Sequence, residues 1–294
     1  MKKFLIFLLL LTMFLSGCAK TEEADIAVTT LPVWQFTSRI VDGTGLTVSR
    51  LVTESVSCLH DYALTVEQMK AIEGADVVVL SGAGLEEFLE EALDSANTII
   101  DSSVGIELLE GGHDHHHEGE EHDHEEHHHE QDPHIWLSPT CAMIQAENIC
   151  SGLSARYPEY ADIFGTNLEG LLADLSALQT YGETELSNLS SREILTFHDG
   201  FAYLAHEFDI EIVEAIEEES GAEASAKELI HLIEEVRHHD IHAIFVEENG
   251  SGSAASIIAA ETGTVKATLS MAMSGDDYFA SMYLNIDSLK EALK

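Results

Sequence analysis

Hydrophobic and polar positions along this chain switch between a strand period and a helix period, and they do so in two series. In the first half, short apolar runs of strand length stand at Asp25–Thr30, Leu46–Val52, Asp76–Leu80 and Thr98–Asp101. Between them, helical spacing covers Pro32–Val41, Thr65–Glu73 and Leu85–Ala96. The second series has strands at Ile194–Phe197, Ile210–Ala215, Ala243–Glu247 and Val265–Leu269. Its helices are Gly200–Phe208, Ala226–His238, Ala254–Thr262 and Tyr278–Leu293. Strands separated by helices predict parallel sheets covered by helices, so the fold class is α/β, in two lobes.

The middle of the chain reads differently. Pro139–Arg156 has helical spacing, and after Tyr157-Pro158 a second stretch runs from Glu159 to about Leu189. Its apolar positions Leu168, Leu171, Leu172, Leu175 and Leu178 keep the helix period, although Gly165, Gly170 and Gly182 weaken it. The expected organisation is a first lobe over 24–156, a linking helix over 157–190 and a second lobe over 191–294. One low-complexity segment, Gly111 to Glu130, interrupts the first lobe with nine histidines among acidic residues. It has almost nothing to pack, which predicts a mobile loop.

The N-terminus has a separate reading. Lys2 and Lys3 precede an apolar run from Phe4 to Phe14, and Leu15-Ser16-Gly17-Cys18 follows. That layout is a secretory signal peptide over 1–17, too short to span a bilayer permanently. Its last four residues match a bacterial lipobox, so Cys18 is expected to carry the lipid and become the mature N-terminus. The mature protein is then held at the cell membrane, outside the cytoplasm.

Charge and cysteine usage narrow the function classes. The formal net charge is -41, and removing Lys2 and Lys3 leaves 11 basic against 54 acidic residues. Such a surface repels nucleic acid and draws cations loosely; a salty habitat is another source of it. The 45% hydrophobic content supports real cores. Beyond Cys18 remain Cys58, Cys141 and Cys150. Cys141 and Cys150 are separated by roughly 13 Å along a helix axis, too far for a disulfide.

Three histidines outside the low-complexity segment stand in places suited to chemistry. His60 follows the second strand, His134 lies in Asp132-Pro133-His134-Ile135-Trp136-Leu137, and His198 follows the fifth strand in Phe197-His198-Asp199-Gly200. Ligands in open α/β sheets bind beyond the carboxyl ends of strands. Two of the three occupy such an end and each lobe supplies at least one, so a metal between the lobes is the economical reading. A lone loop histidine is more often structural than ligating. His206, His231, His238, His239 and His242 are therefore read as surface residues on or beside helices.

Several segments together give the chain a family resemblance. They are His60-Asp61-Tyr62 followed by Glu67–Leu80, Asp132 to Leu137, Phe197-His198-Asp199-Gly200-Phe201-Ala202-Tyr203, Ser225-Ala226-Lys227-Glu228-Leu229, and Ile244-Phe245-Val246-Glu247. In this order, with a His-rich insertion just before Asp132, they resemble the zinc/manganese substrate-binding proteins of ATP-binding-cassette (ABC) importers. The resemblance spans about Asp25 to Lys294. It implies two Rossmann-like lobes with parallel sheets joined by a long rigid helix, and His60, His134 and His198 as metal ligands.

Imidazole suits Zn²⁺ and oxygen-rich sites suit Mn²⁺, so zinc is the expected ion. Where the family often supplies an Asp ligand after the last strand, this chain has Leu269-Ser270-Met271-Ala272. The fourth position is left to water, Glu247 or Asp276. His113, His115, His116, His117, His122, His124, His127, His128 and His129 are expected to form weak auxiliary zinc sites. The resemblance further implies an ABC permease and its ATPase as partners; a monomer without enzyme activity is expected. Other readings are manganese or iron import, a metal-dependent adhesin or zinc buffer, and a zinc hydrolase. The last lacks an H-E-x-x-H or similar base.

Overall fold

The computed structural model describes residues 24–54, 59, 62–111, 131–215, 225–248 and 252–294. Its first lobe contains β1 (Ile26–Val28), α1 (Leu31–Ile40), β2 (Val48–Arg50), α2 (Val66–Gly74), β3 (Val77–Leu80), a one-turn α3 (Glu90–Leu93) and β4 (Ile99–Asp101). Then come α4 (Pro139–Arg156) and the 25-residue α5 (Ala161–Glu185). The second lobe contains β5 (Glu193–Thr196), α6 (Ala202–Glu207), β6 (Glu211–Ala215), α7 (Ala226–His238), β7 (Ala243–Glu247), α8 (Ser253–Thr262), β8 (Val265–Leu269) and α9 (Tyr278–Ala292).

Both sheets are parallel and share one topology, β2-β1-β3-β4 and β6-β5-β7-β8. The predicted α/β class with parallel sheets and a long helix is what the chain adopts. Central strand β3 is Val-Val-Val-Leu, buried on both faces. In each sheet the order reverses beside the first strand, between β1 and β3 and between β5 and β7. Crevices at the carboxyl ends of such strands are where ligands bind in this architecture.

Local chemistry explains why several predicted boundaries hold. Thr65 with Gln68, and Ser225 with Glu228, form reciprocal capping boxes that start α2 and α7. Ser138 accepts from the Cys141 N–H and Pro139 sits in the first turn of α4. Cys141 and Cys150 are both free thiols on that helix.

One predicted helix breaks. Leu85–Ala96 forms a 3-10 turn at Glu87–Leu89 followed only by α3. The reason lies just upstream, where the buried Glu86 carboxylate accepts from the Ser81 and Gly82 N–H groups (2.7 and 3.0 Å) and the Thr29 hydroxyl (2.6 Å). Closing that loop puts Ala83 at φ 56, outside helical backbone. In α5, by contrast, Gly182 is a packing requirement. A Cβ there would fall 2.2 Å from the Phe208 ring.

Each lobe has a small core of its own, around Leu195 and Ile244 in the second and Ala27 and Val78 in the first, but the largest core is shared. One hydrophobic cluster runs from Phe36 and Trp136 in the first lobe through Phe164 and Leu175 of α5 to Phe245 and Tyr278 in the second. Polar bonds follow the same seam. The Trp136 indole N–H donates to the Met271 carbonyl and the Tyr278 hydroxyl donates to the Trp136 carbonyl, each at 2.7 Å. Glu207 accepts from Thr140 (2.9 Å), Gln179 (2.8 Å) and Ser138. This seam fixes how the two sets of strand ends face each other.

Candidate functional site

His134 is the first-lobe residue whose setting is best defined. It caps the 3-10 turn Ile135–Leu137, all three of whose side chains are buried. Asp132, two residues earlier, accepts from the His134 backbone N–H at 2.8 Å and lies 2.7 Å from its Nδ1, with both residues buried. A carboxylate at that distance is met by a protonated Nδ1. The lone pair is then on Nε2, the tautomer of a metal-ligating imidazole whose second nitrogen is held by a carboxylate. The ring packs edge-on to Trp136 with centroids 5.4 Å apart, so its orientation is fixed on two sides.

His198 reaches the same place from the other lobe. It follows β5 at the sheet's reversal point, and its ring lies 5.5 Å from the His134 ring at an interplanar angle of 82°. Two imidazoles bound to one tetrahedral ion through bonds of about 2.0–2.1 Å hold their centroids roughly 5 Å apart. Gly200 makes room for this arrangement. A Cβ there would stand 2.7 Å from His198 Cδ2 and 2.8 Å from both its Nε2 and the Met271 methyl.

The remaining predicted residues divide. His60 lies outside the described residues, as do Cys58 and Asp61. Its described neighbours are anchored: Leu59 is buried and accepts the Tyr62 N–H, while the Tyr62 hydroxyl donates to Glu54 at 2.8 Å. Cys18 and the nine histidines from His113 to His129 are outside the described residues too.

Glu247 is buried at the last position of β7. Strand register sets Thr196 opposite Phe245, and the Phe197 N–H continues the ladder to the Phe245 carbonyl. Two residues further on, His198 and Glu247 stand at the same level of the sheet edge. Asp276 is exposed and lines a surface groove with Trp34, Arg39 and Asn167. Ser270 spends its hydroxyl on a local turn, accepting from the Ala272 N–H at 3.2 Å.

One grouping escaped the sequence reading. Glu235, His238 and His239 bring potential ligand atoms within 4.8 Å of one another at the end of α7. Its signal was the spacing itself, a carboxylate with histidines three and four residues later on one helix.

Comparison with known proteins is consistent across the chain. A family model described as zinc-uptake complex component A, periplasmic, matches residues 26–292. The zinc-binding protein AdcA of Streptococcus pyogenes serotype M3 is 31% identical, over 91% of this chain and 56% of its own length. The chain thus spans about half the length of that curated relative. The high-affinity zinc uptake system protein ZnuA of Bacillus subtilis is 30% identical over 95% of this chain and 90% of its own. A zinc-bound crystal structure of a ZnuA 138–173 deletion mutant superposes with a TM-score of 0.75 at 29% identity, covering 92% of this chain and 98% of that one.

Proposed function

Because the chain belongs to the zinc-uptake complex component A family, we propose that it captures Zn²⁺ between its lobes outside the cytoplasm and delivers it to an ABC permease driven by its ATPase. The observation that carries this reading is the approach of His134 and His198 from opposite lobes, 5.5 Å between rings. His60 is the third ligand. Glu247 is the fourth, because it is buried at the carboxyl end of β7, level with His198 in the register, whereas Asp276 is exposed. Three imidazoles and one carboxylate suit zinc better than manganese. Zinc is cargo here and undergoes no reaction, so the protein is not an enzyme.

The remaining assignments follow from that role. Residues 24–156 and 191–294 are the two ligand-bearing lobes and 157–190 is the connection. Continuity of the core through α5 favours small shifts of lobe geometry on loading over a wide hinge. The Cys18 lipid tethers the monomer to the membrane, and the histidines of 111–130 gather zinc weakly.

The test is zinc stoichiometry and affinity of the full chain against His60→Ala, His134→Ala and His198→Ala. Each substitution is expected to abolish one tight equivalent while leaving weak binding. Retention of tight binding in all three would refute the assignment.

A further inference from the structure

We infer that the carboxyl end of α7 is a second divalent-metal site, in which Glu235, His238 and His239 hold one ion of the zinc class, remote from the cleft. The three side chains come from a single helical turn. Glu235 and His238 are three residues apart and Glu235 and His239 four, so each histidine is a helix-surface neighbour of Glu235, one on either side of it. Their donor atoms already lie within 4.8 Å of one another. Closing to the roughly 3.4 Å donor spacing of a tetrahedral zinc needs only side-chain rotation.

The setting favours a cation. α7 ends here, with His239 as its cap and Asp240 turned to φ 52, so the cluster lies within the last turn, where the helix dipole favours positive charge. His239 Nε2 is 3.5 Å from Glu235 Oε2, and its Nδ1 is 3.8 Å from Glu193 Oε2. With Nε2 on the metal, Nδ1 is left on the side of Glu193, which at 3.8 Å must shift by under an ångström to hydrogen-bond and orient the imidazole. The adjacent cation, Arg237, donates instead to the Glu261 carbonyl at 3.1 Å.

Two imidazoles with one carboxylate select zinc, copper or nickel, whereas calcium and magnesium call for more oxygen ligands. Three protein ligands leave the fourth position to water, with His238 exposed and Glu235 and His239 about one-third exposed. Loading and release there are therefore rapid compared with the buried cleft.

The two sites cannot share an ion. Glu193 is the first residue of β5 and His198 lies just past its last. The five residue steps from Glu193 through the strand to His198 span roughly 16 Å when extended. This inference does not rest on the cleft assignment, which uses other residues in another place.

The experiment uses the full chain and the double variant His238→Gln/His239→Gln. Equilibrium dialysis against zinc is expected to show one fewer equivalent in the variant, with the far-ultraviolet circular dichroism unchanged. Oxidation by Cu²⁺ and ascorbate, mapped by peptide mass spectrometry, gives a local readout in the unmodified protein. His238 and His239 should oxidise several-fold more than His231 and His242, with excess zinc protecting them. An unchanged zinc count, or oxidation no greater than at His231 and His242, overturns the site. Loss of the cleft equivalent by His134→Ala with this one retained would leave the proposal standing and separate the two sites.

Discussion

His134 and Asp132 form a buried pair in which a single carboxylate oxygen, Asp132 Oδ1, takes both the backbone N–H and the Nδ1 of the histidine at 2.8 and 2.7 Å. The carboxylate thus sets backbone, ring rotation and tautomer together, before any metal arrives. A ligand prepared in this way loses little rotational freedom on binding.

Asp132→Ala should therefore weaken cleft zinc binding about 10- to 100-fold, the usual cost of removing a carboxylate behind a ligating histidine. Competition with a chromogenic chelator measures it. Affinity equal to the unaltered protein would show that the ring is positioned by Trp136 packing alone.

Gly200→Ala tests the space beside the second imidazole. The new methyl would lie within 2.7–2.8 Å of the His198 ring, so the ring must swing away from the shared position. Zinc affinity should fall by about tenfold or more, comparable to losing an orienting partner, while the unfolding midpoint in urea changes little. A large stability loss with normal affinity would mean that Met271, not His198, yields.

The seam between the lobes has its own prediction. Trp136→Phe keeps the buried ring but leaves the Met271 carbonyl without its 2.7 Å donor. A buried carbonyl deprived of its partner costs about 1–3 kcal/mol, readable from urea unfolding. Because one cluster crosses both lobes, the two should unfold in a single transition, monitored by fluorescence and circular dichroism.

Glu86 makes stability depend on pH. Burial pushes its carboxyl up from 4.5 to about 7, against the hydrogen bonds from Thr29, Gly82 and Ser81 that favour the ionised form. The folded chain therefore holds a proton that the unfolded chain has released between about pH 4.5 and 7. The stabilisation is full below the unfolded value and is lost as pH rises through 7, amounting to a few kcal/mol. In Glu86→Gln that component disappears, so the unaltered protein should lose stability relative to the variant as pH rises from 5 to 7. Parallel pH profiles would exclude Glu86 as its source.

Removing residues 111–130 should eliminate several weak zinc equivalents and spare the tight one, as counted by equilibrium dialysis. Loss of the tight equivalent would mean that a histidine of the tract completes the cleft.

Much of the fold was legible in the chain because it is written locally. The bounds of α4, α7, β7 and β8 match the sequence reading residue for residue, since periodicity and caps such as Ser225 with Glu228 act within a few positions. His134 and His198 stood out for the same reason, each at a recognisable break between elements. Other features belong to partners distant in sequence or to chain folded back on itself. Glu86 breaks the Leu85–Ala96 helix only once Thr29 and the Ser81–Gly82 backbone surround it. Gly182 reads as a weak point until Phe208 packs on it. The orientation of His198 beside His134, and of Glu193 beside His239, depends on two sheets and their register. Local pattern determined which residues had the chemistry; burial and long-range packing decided which of them face one another.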